Sequence, residues 1–314
     1  MDAPVGSSGR FGRRQVGGGA SLDVLDATRH FVPFIPMPGA ILSIQSHVVY
    51  GHVGNSAAVF ALQRLGLEVW PIHAVQFSSH AGYPGWRGRA FEAGLIDECV
   101  AGLRAIHVLP KCAAVLTGYI GKAEIGEAAL RAVDAVRAAS PDAVWACDPV
   151  IGDVGRGIYV AAGIAEFFRD RAVAQADIVT PNAFELEYLT GLAPRHALAA
   201  LLRRGPKVVL ATSLELEDTP ADALDLAVAD ASGAWRLRTP RLPIEVHGAG
   251  DLMSALFLAH WLSTRSAPEA LARAAASVYA VVAATAASGE RELALIPAQR
   301  ELETPSRRFT PEPL

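Results

Sequence analysis

From Ala40 onward, short runs dense in Val, Ile, Leu and Ala alternate with longer segments whose apolar residues recur at helical spacing. Strands are predicted over Ala40–Ser46, Val69–Gln76, Ala113–Tyr119, Val144–Asp148, Asp177–Pro181 and Val208–Thr212. Helices are predicted over Asn55–Leu65, Arg89–Leu103, Ala123–Ala139, Val160–Arg169 and Asn182–Arg204. Strands that are apolar along their whole length need cover on both faces, and parallel neighbours need a crossover helix between them. The pattern therefore predicts an α/β fold, a doubly wound and mostly parallel sheet with helices on both faces. Leu224–Asp230 and Ala234–Pro240, joined by Ala231-Ser232-Gly233, read as a hairpin and predict a small antiparallel edge. Two Ala-rich helices, near Asp251–Leu262 and Pro268–Ala287, close the chain. No internal repeat or linker interrupts the alternation, so residues 39–314 are expected to form a single domain.

Hydrophobic residues make up 51% of the chain and charged residues 19%, ample for a large core and incompatible with a disordered chain. The net charge of −4 comes without a basic stripe interleaved with aromatics, so no nucleic-acid partner is expected. No apolar run approaches the ~20 residues a membrane helix needs, which argues against a membrane partner. Cys99, Cys112 and Cys147 are odd in number and widely spaced, offering neither a disulfide framework nor a metal clip. They fit a reducing compartment, and a soluble, cytoplasmic protein is expected. Residues 1–38, rich in Gly, Ser, Arg and Pro, read as a disordered extension outside the fold. Arg13-Arg14 lacks the apolar stretch an export signal needs, and Met37 is an alternative start.

The stretch richest in chemistry is His247-Gly248-Ala249-Gly250-Asp251-Leu252, where small residues lead straight into a helix. The first N–H groups of a helix have no partner within it, and glycines let an anion approach them closely. The helix dipole also favours an ionised Asp251. An anion hole beside a carboxylate suits phosphoryl transfer to an alcohol. The N–H groups stabilise charge on the phosphate, and the carboxylate accepts the hydroxyl proton. The plainer reading of an isolated Gly-x-Gly-Asp is a helix cap. A GxxxxGK[ST] loop and a GxGxxG dinucleotide turn are both absent, so a kinase of this sequence is not a P-loop enzyme.

Two acidic runs follow predicted strands: Asp148-Pro149-Val150-Ile151-Gly152-Asp153 and Thr180-Pro181-Asn182-Ala183-Phe184-Glu185. Both belong at carboxyl ends of parallel strands, where open α/β sheets bind ligands. Carboxylates grouped there can hold Mg²⁺ through waters and organise nucleotide phosphates. Asn182 to Glu185 is also an ordinary capping box, and Asp148-Pro149 an ordinary turn. Ser43 to Ser56 mixes hydroxyls, amides and two imidazoles (His47, His52) at a strand-to-helix turn, a composition suited to reading a polar substrate. Val75 to Arg89 departs from the alternation and reads as a loop, either ligand-bordering or a structural Ω-loop.

These runs resemble the pyridoxal kinase family of the ribokinase-like superfamily. Gln45-Ser46-His47-Val48-Val49-Tyr50-Gly51-His52-Val53-Gly54-Asn55 is similar to the family's opening motif. Val75-Gln76-Phe77-Ser78-Ser79-His80, Thr117-Gly118-Tyr119-Ile120-Gly121, the two acidic runs and Gly248-Ala249-Gly250-Asp251 follow in the family's order. The resemblance covers Ala40 to the C-terminal tail. It implies ATP-dependent phosphorylation of the 5′-hydroxymethyl group of pyridoxal, in vitamin B6 salvage, by a homodimer. Asp251 would be the base, and Gly248, Ala249 and Gly250 the anion hole for the γ-phosphate. Ser46 and Tyr119 would contact the pyridine ring, with Ala81, Gly82 and Tyr83 bordering it. Asp148, Asp153, Thr180, Glu185 and Thr212 match positions that bind nucleotide phosphates with Mg²⁺ or a monovalent cation such as K⁺. The Mg²⁺ would be held by Asp148 and Glu185 through water, and Thr239, Pro240, Arg241 and Leu242 would lie along the nucleotide.

Two departures from the family pattern stand out. His80-Ala81-Gly82-Tyr83 replaces a family His-Thr-Gly-Tyr or His-Thr-Gln-Tyr, so a substrate-contacting hydroxyl is missing. One lost neutral hydrogen bond is worth about 0.5–1.5 kcal/mol, which weakens binding without abolishing it. The stretch from Trp235 to Gly248 is also a few residues short. Rival readings are a kinase for another hydroxymethyl heteroaromatic such as hydroxymethylpyrimidine, a sugar or nucleoside kinase, and a non-catalytic pyridoxal-binding regulator.

Overall fold

Apolar residues alternate between the two faces of each central strand, and each face receives its own layer of helices. The computed structural model describes residues 39–314; the expected extension and alternative start lie outside the described residues. The chain begins with β1 (Ala40–Val48), α1 (Asn55–Arg64), β2 (Val69–Phe77), β3 (Gly88–Ala90) and α2 (Ala93–Ala105). It continues through β4 (Cys112–Thr117), α3 (Ala123–Ala139), β5 (Val144–Cys147), β6 (Gly152–Asp153), β7 (Gly157–Ile158), α4 (Ile164–Phe167) and β8 (Ile178–Val179). Next come α5 (Ala183–Thr190), α6 (Pro194–Leu202), β9 (Val208–Leu214), β10 (Ala223–Asp230) and β11 (Gly233–Pro240). It closes with α7 (Ala249–Thr264), α8 (Ala267–Ser288), α9 (Arg300–Glu303) and β12 (Glu312–Pro313).

One sheet runs in the order β12-β11-β10-β9-β8-β5-β4-β1-β2-β3. The strands from β9 to β2 pair in parallel, whereas β3 at one edge and β10 to β12 at the other are antiparallel. Leu42, Ile44 and Val115 point into a core with α2 to α6, while Ile41, Ala114 and Leu116 point into a second core with α1, α7 and α8. After β1 the chain pairs β2 on one side and β4 on the other, so strand order reverses beside β1. The crevice at the carboxyl ends of these strands is the expected ligand site of such a sheet.

The predicted α/β architecture and antiparallel edge are present, with local differences. The helix predicted from Arg89 begins at Ala93, because Gly88–Ala90 instead pairs with Val75–Phe77 at the sheet edge. The loop predicted from Val75 to Arg89 shrinks accordingly. The long helix predicted over Asn182–Arg204 is two helices, broken where Gly191 takes a left-handed conformation (φ 69°) and Pro194 starts the next. The helix predicted from Val160 starts only at Ile164, after left-handed Gly163, and passes into a π-helical turn over Phe168–Ala172. The acidic run after β5 forms a two-stranded ribbon of β6 and β7 rather than a simple turn. Helix α8 has the length and apolar composition of a membrane span, contrary to the sequence reading. Its Ala270, Leu271, Ala274, Val278 and Val281 lie in the core, and it packs along α7.

Candidate active site

The amino end of α7 faces the loop that joins β1 to α1. Gly248 caps the helix in a left-handed conformation (φ 89°), and a Cβ there would lie 1.8 Å from the His52 carbonyl oxygen. Only glycine lets the two backbones come so close. Asp251 stands in the first turn, with the backbone N–H groups of Gly54 and of Asp251 itself facing its carboxylate. Burial pushes its pKa up to about 6 against the pull of those N–H groups. Gly54 is itself left-handed, and a Cβ there would fall 2.3 Å from Ser46 Oγ. Asp251 and the Ser46 hydroxyl therefore both lie against Gly54, two residues beyond the His52 carbonyl that faces Gly248.

Asp148 follows β5 and is buried behind this helix turn. Ser254 Oγ, one helical turn beyond Asp251, donates to Asp148 Oδ2 at 2.9 Å, and Thr180 Oγ1 lies 2.8 Å from Ser254 Oγ. Burial, then the charge of Asp251, pushes Asp148 up to about 8. Glu185 is buried as well, and burial followed by the Asp148 charge raises its pKa well above the ordinary range. Its two oxygens accept from Ile151 N (2.9 Å) and Asn182 N (2.8 Å), while Asn182 Oδ1 accepts from Glu185 N. This is the capping box expected from the sequence, here also tying α5 to the loop after β5. Thr212 in β9 bridges to Asn182, continuing the row of strand ends.

On the other side of the crevice lies a buried amide and hydroxyl network. Ser43 Oγ donates to Asn55 Oδ1 at 2.7 Å, and Gln45 Nε2 donates to Ser43 Oγ at 2.9 Å. Ser56 Oγ donates to Val48 O at 2.9 Å, stitching α1 back to the end of β1. Tyr119, just past β4, is half-buried, and burial raises its phenol pKa. His80 is buried, and its Nδ1 accepts from the Gly82 N–H at 3.1 Å, which closes the turn carrying Ala81, Gly82 and Tyr83.

Asp251, the Gly248–Gly250 turn, Ser46, Asp148, Thr180 and Glu185 come together as expected. Asp153 is instead exposed on the β6–β7 ribbon, where its Oδ1 accepts from Val154 N. Thr239 and Pro240 end β11, and Arg241 turns outward to Glu215. Among the described residues no three His, Cys, Asp or Glu side chains converge at metal-ligand range. The sequence reading missed Ser254, although its spacing of three from Asp251 puts both on one helix face. It also missed Glu292, which binds His80 and the His52 N–H and which no local motif marks.

A family model described as phosphomethylpyrimidine kinase matches residues 98–295. The pyridoxal kinase PdxY of Granulibacter bethesdensis is 50% identical over 279 residues, 86% of this chain and 98% of that one. The pyridoxal kinase PdxY of Rubrobacter xylanophilus is 52% identical over 276 residues, 86% of this chain and 95% of that one. The pyridoxal kinase of Leishmania donovani in complex with ADP and pyridoxine has a similar structure, with a TM-score of 0.81 at 31% identity, covering 88% of this chain and 99% of that one.

Proposed function

The chain belongs to the pyridoxal kinase family, and from that premise we infer that it transfers the γ-phosphoryl group of ATP to the 5′-hydroxymethyl group of pyridoxal. The product is pyridoxal 5′-phosphate, formed in vitamin B6 salvage. The observation that carries the reading at the level of this site is Asp251 beside the Gly248–Gly250 turn, within hydrogen-bond reach of Gly54 and so next to Ser46.

In this reading Asp251 takes the proton from the 5′-hydroxyl. A carboxyl with a pKa of about 6 is ionised at neutral pH yet basic enough to accept that proton. The N–H groups of Gly248, Ala249 and Gly250 stabilise charge on the transferring phosphoryl group. Ser46 and Tyr119 orient the ring, and Ala81, Gly82 and Tyr83 border it. Asp148, Asp153, Thr180, Glu185 and Thr212 serve the nucleotide phosphates, with Thr239, Pro240, Arg241 and Leu242 along the nucleotide.

Mg²⁺ fits this site on the chemistry of its donors. Burial raises the pKa of Asp148, Glu185 and Asp251, and charge repulsion adds to it at Asp148, from Asp251, and at Glu185, from Asp148. A cation would relieve that repulsion. Both Glu185 oxygens already accept backbone bonds, so Asp148 and Glu185 would hold the ion through water. When bound, it would neutralise charge on the nucleotide phosphates. A monovalent cation such as K⁺ is proposed at the same acidic end. A homodimer and a cytoplasmic location complete the proposal, the latter supported by three free thiols.

The matching family model is described as phosphomethylpyrimidine kinase, which keeps a pyrimidine acceptor in view; the rival named from the sequence, hydroxymethylpyrimidine, would use the same anion hole. Steady-state assays of pyridoxal and hydroxymethylpyrimidine, alone and in competition, test the choice. Pyridoxal is expected to give the higher kcat/KM by at least about tenfold, roughly 1.4 kcal/mol of discrimination. The reverse order would overturn the assignment.

A further inference from the structure

Glu292 lies between α8 and α9, far in sequence from the motifs of the site, yet its carboxylate reaches into the loops that frame it. Only 9% of the residue is exposed. One oxygen lies 3.1 Å from His80 Nε2, and the other accepts from the His52 N–H at 3.1 Å. The Tyr83 hydroxyl stands beside the same carboxylate; burial and then Glu292 push the phenol up to about 12. Gly51 (φ 103°) passes so close that a Cβ there would fall 2.2 Å from Glu292 Oε2. On the other side of the same tyrosine, the Arg291 guanidinium sits 4.5 Å from the ring centroid.

The protons around this carboxylate can be assigned. The Gly82 N–H donates to His80 Nδ1, so that nitrogen carries a lone pair and the ring proton sits on Nε2, pointing at Glu292. The His52 N–H donates as well. Both partners are donors, and the two carboxylate oxygens accept one bond each. The same contacts join two loops. His80 shapes the turn that carries Ala81 to Tyr83, and its ring packs tilted against His247, 4.0 Å between centroids, directly before the anion hole. His52 presents its carbonyl to Gly248.

We infer that Glu292 is a positioning residue for the pyridoxal kinase reaction: it clamps the His80–Tyr83 turn and the Gly51–His52 loop at the separation that holds the acceptor ring. The inference rests on the pyridoxal kinase reading above. It assigns to the carboxylate the ordering of the acceptor side of the crevice, with the nucleotide side left to the strand ends.

The test is Glu292→Gln, with Glu292→Ala beside it. Pyridoxal and ATP are varied separately, melting is followed, and pyridoxal binding without ATP is measured by calorimetry. The amide of Gln turns a donor toward one of the donors, so at least one clamp bond is lost and replaced by a repulsive contact. KM and Kd for pyridoxal are expected to rise about tenfold or more in Glu292→Gln, with kcat and KM for ATP within about threefold of the parent. His80→Asn should raise the same KM and, combined with Glu292→Gln, add less than the product of the two effects. An unchanged KM for pyridoxal in Glu292→Gln would overturn the clamp. So would a parallel loss of kcat, both KM values and folding, which would make the residue merely structural. Absence of pyridoxal phosphate formation by the unsubstituted chain would instead sink the kinase reading, so the two failures are told apart.

Discussion

Gly248→Ala is the most informative single-methyl perturbation of the proposed anion hole. The backbone there is left-handed, and an L-residue with a Cβ pays about 1–2 kcal/mol to adopt it. The new methyl would also begin 1.8 Å from the His52 carbonyl oxygen. Cβ contacts below 3.0 Å are essentially never tolerated, and the obstructing atom is backbone, so the β1–α1 loop must retreat by about 1.2 Å. Strain and displacement together are expected to cost about 2–4 kcal/mol of stability, which for a domain of this size lowers the melting temperature by roughly 5–10 °C. The same loop carries Gly54, whose N–H faces Asp251, and a misplacement of about 1 Å at a reacting centre can cost about 10²-fold in rate. Gly250→Ala is the matched control, because a Cβ there meets no atom within 4 Å and the residue is helical. It should melt at or slightly above the parent temperature, Ala being the better helix former. Thermal melts and steady-state kinetics on both variants decide the matter. Parent-like melting and kcat in Gly248→Ala would refute the packing argument.

Three further outcomes follow from the same structure. Asp148, pushed up to about 8, keeps a proton that the unfolded chain gives up near 3.8, so its stabilising contribution is whole below that unfolded value and is lost as pH rises through about 8. Ligand-free Asp148→Asn should therefore melt higher than the parent at pH 9 while losing turnover, and a lower melting temperature there would contradict the reasoning. Asp225 is fully buried and binds Arg238 through both oxygens at 2.8 Å, so Asp225→Ala should cost about 3 kcal/mol, read as a melting temperature roughly 6–12 °C lower. A shift below about 2 °C would show that Asp218, 3.4 Å from the same guanidinium, takes over. Ala81→Thr should lower KM for pyridoxal by up to about tenfold with kcat unchanged, the value of one regained hydrogen bond; steady-state kinetics that leave KM in place would show the hydroxyl has no partner here.

The sheet and its two helical layers were legible because near-continuous apolar runs along β1, β4 and β5 and helical spacing along α3 are local properties of the chain. The start of α2 was not, because Gly88–Ala90 becomes a strand only through pairing with Val75–Phe77. The break between α5 and α6 carried a signal in Gly191 and Pro194, outweighed in the reading by the apolar spacing on either side. At the site, residues in contiguous motifs were legible: Ser46, Asp148, Glu185 and the turn from Gly248 to Asp251. Ser254 was readable in principle from its helical phase. Glu292 was not, since it meets His80 and His52 across separations of 212 and 240 residues, contacts that only the folded chain creates.

The central claim is that Asp251 is the base of an ATP-dependent kinase acting on pyridoxal. Formation of pyridoxal 5′-phosphate, followed at the product's own absorbance, tests it most directly in the parent and in Asp251→Asn, with pyridoxal binding measured on both. The account predicts ATP-dependent product from the parent, a loss of about 10²–10⁴-fold in kcat for Asp251→Asn, and a Kd for pyridoxal within a few-fold of the parent. A variant that turns over at the parental rate, or a parent that forms no pyridoxal phosphate from ATP, would contradict it.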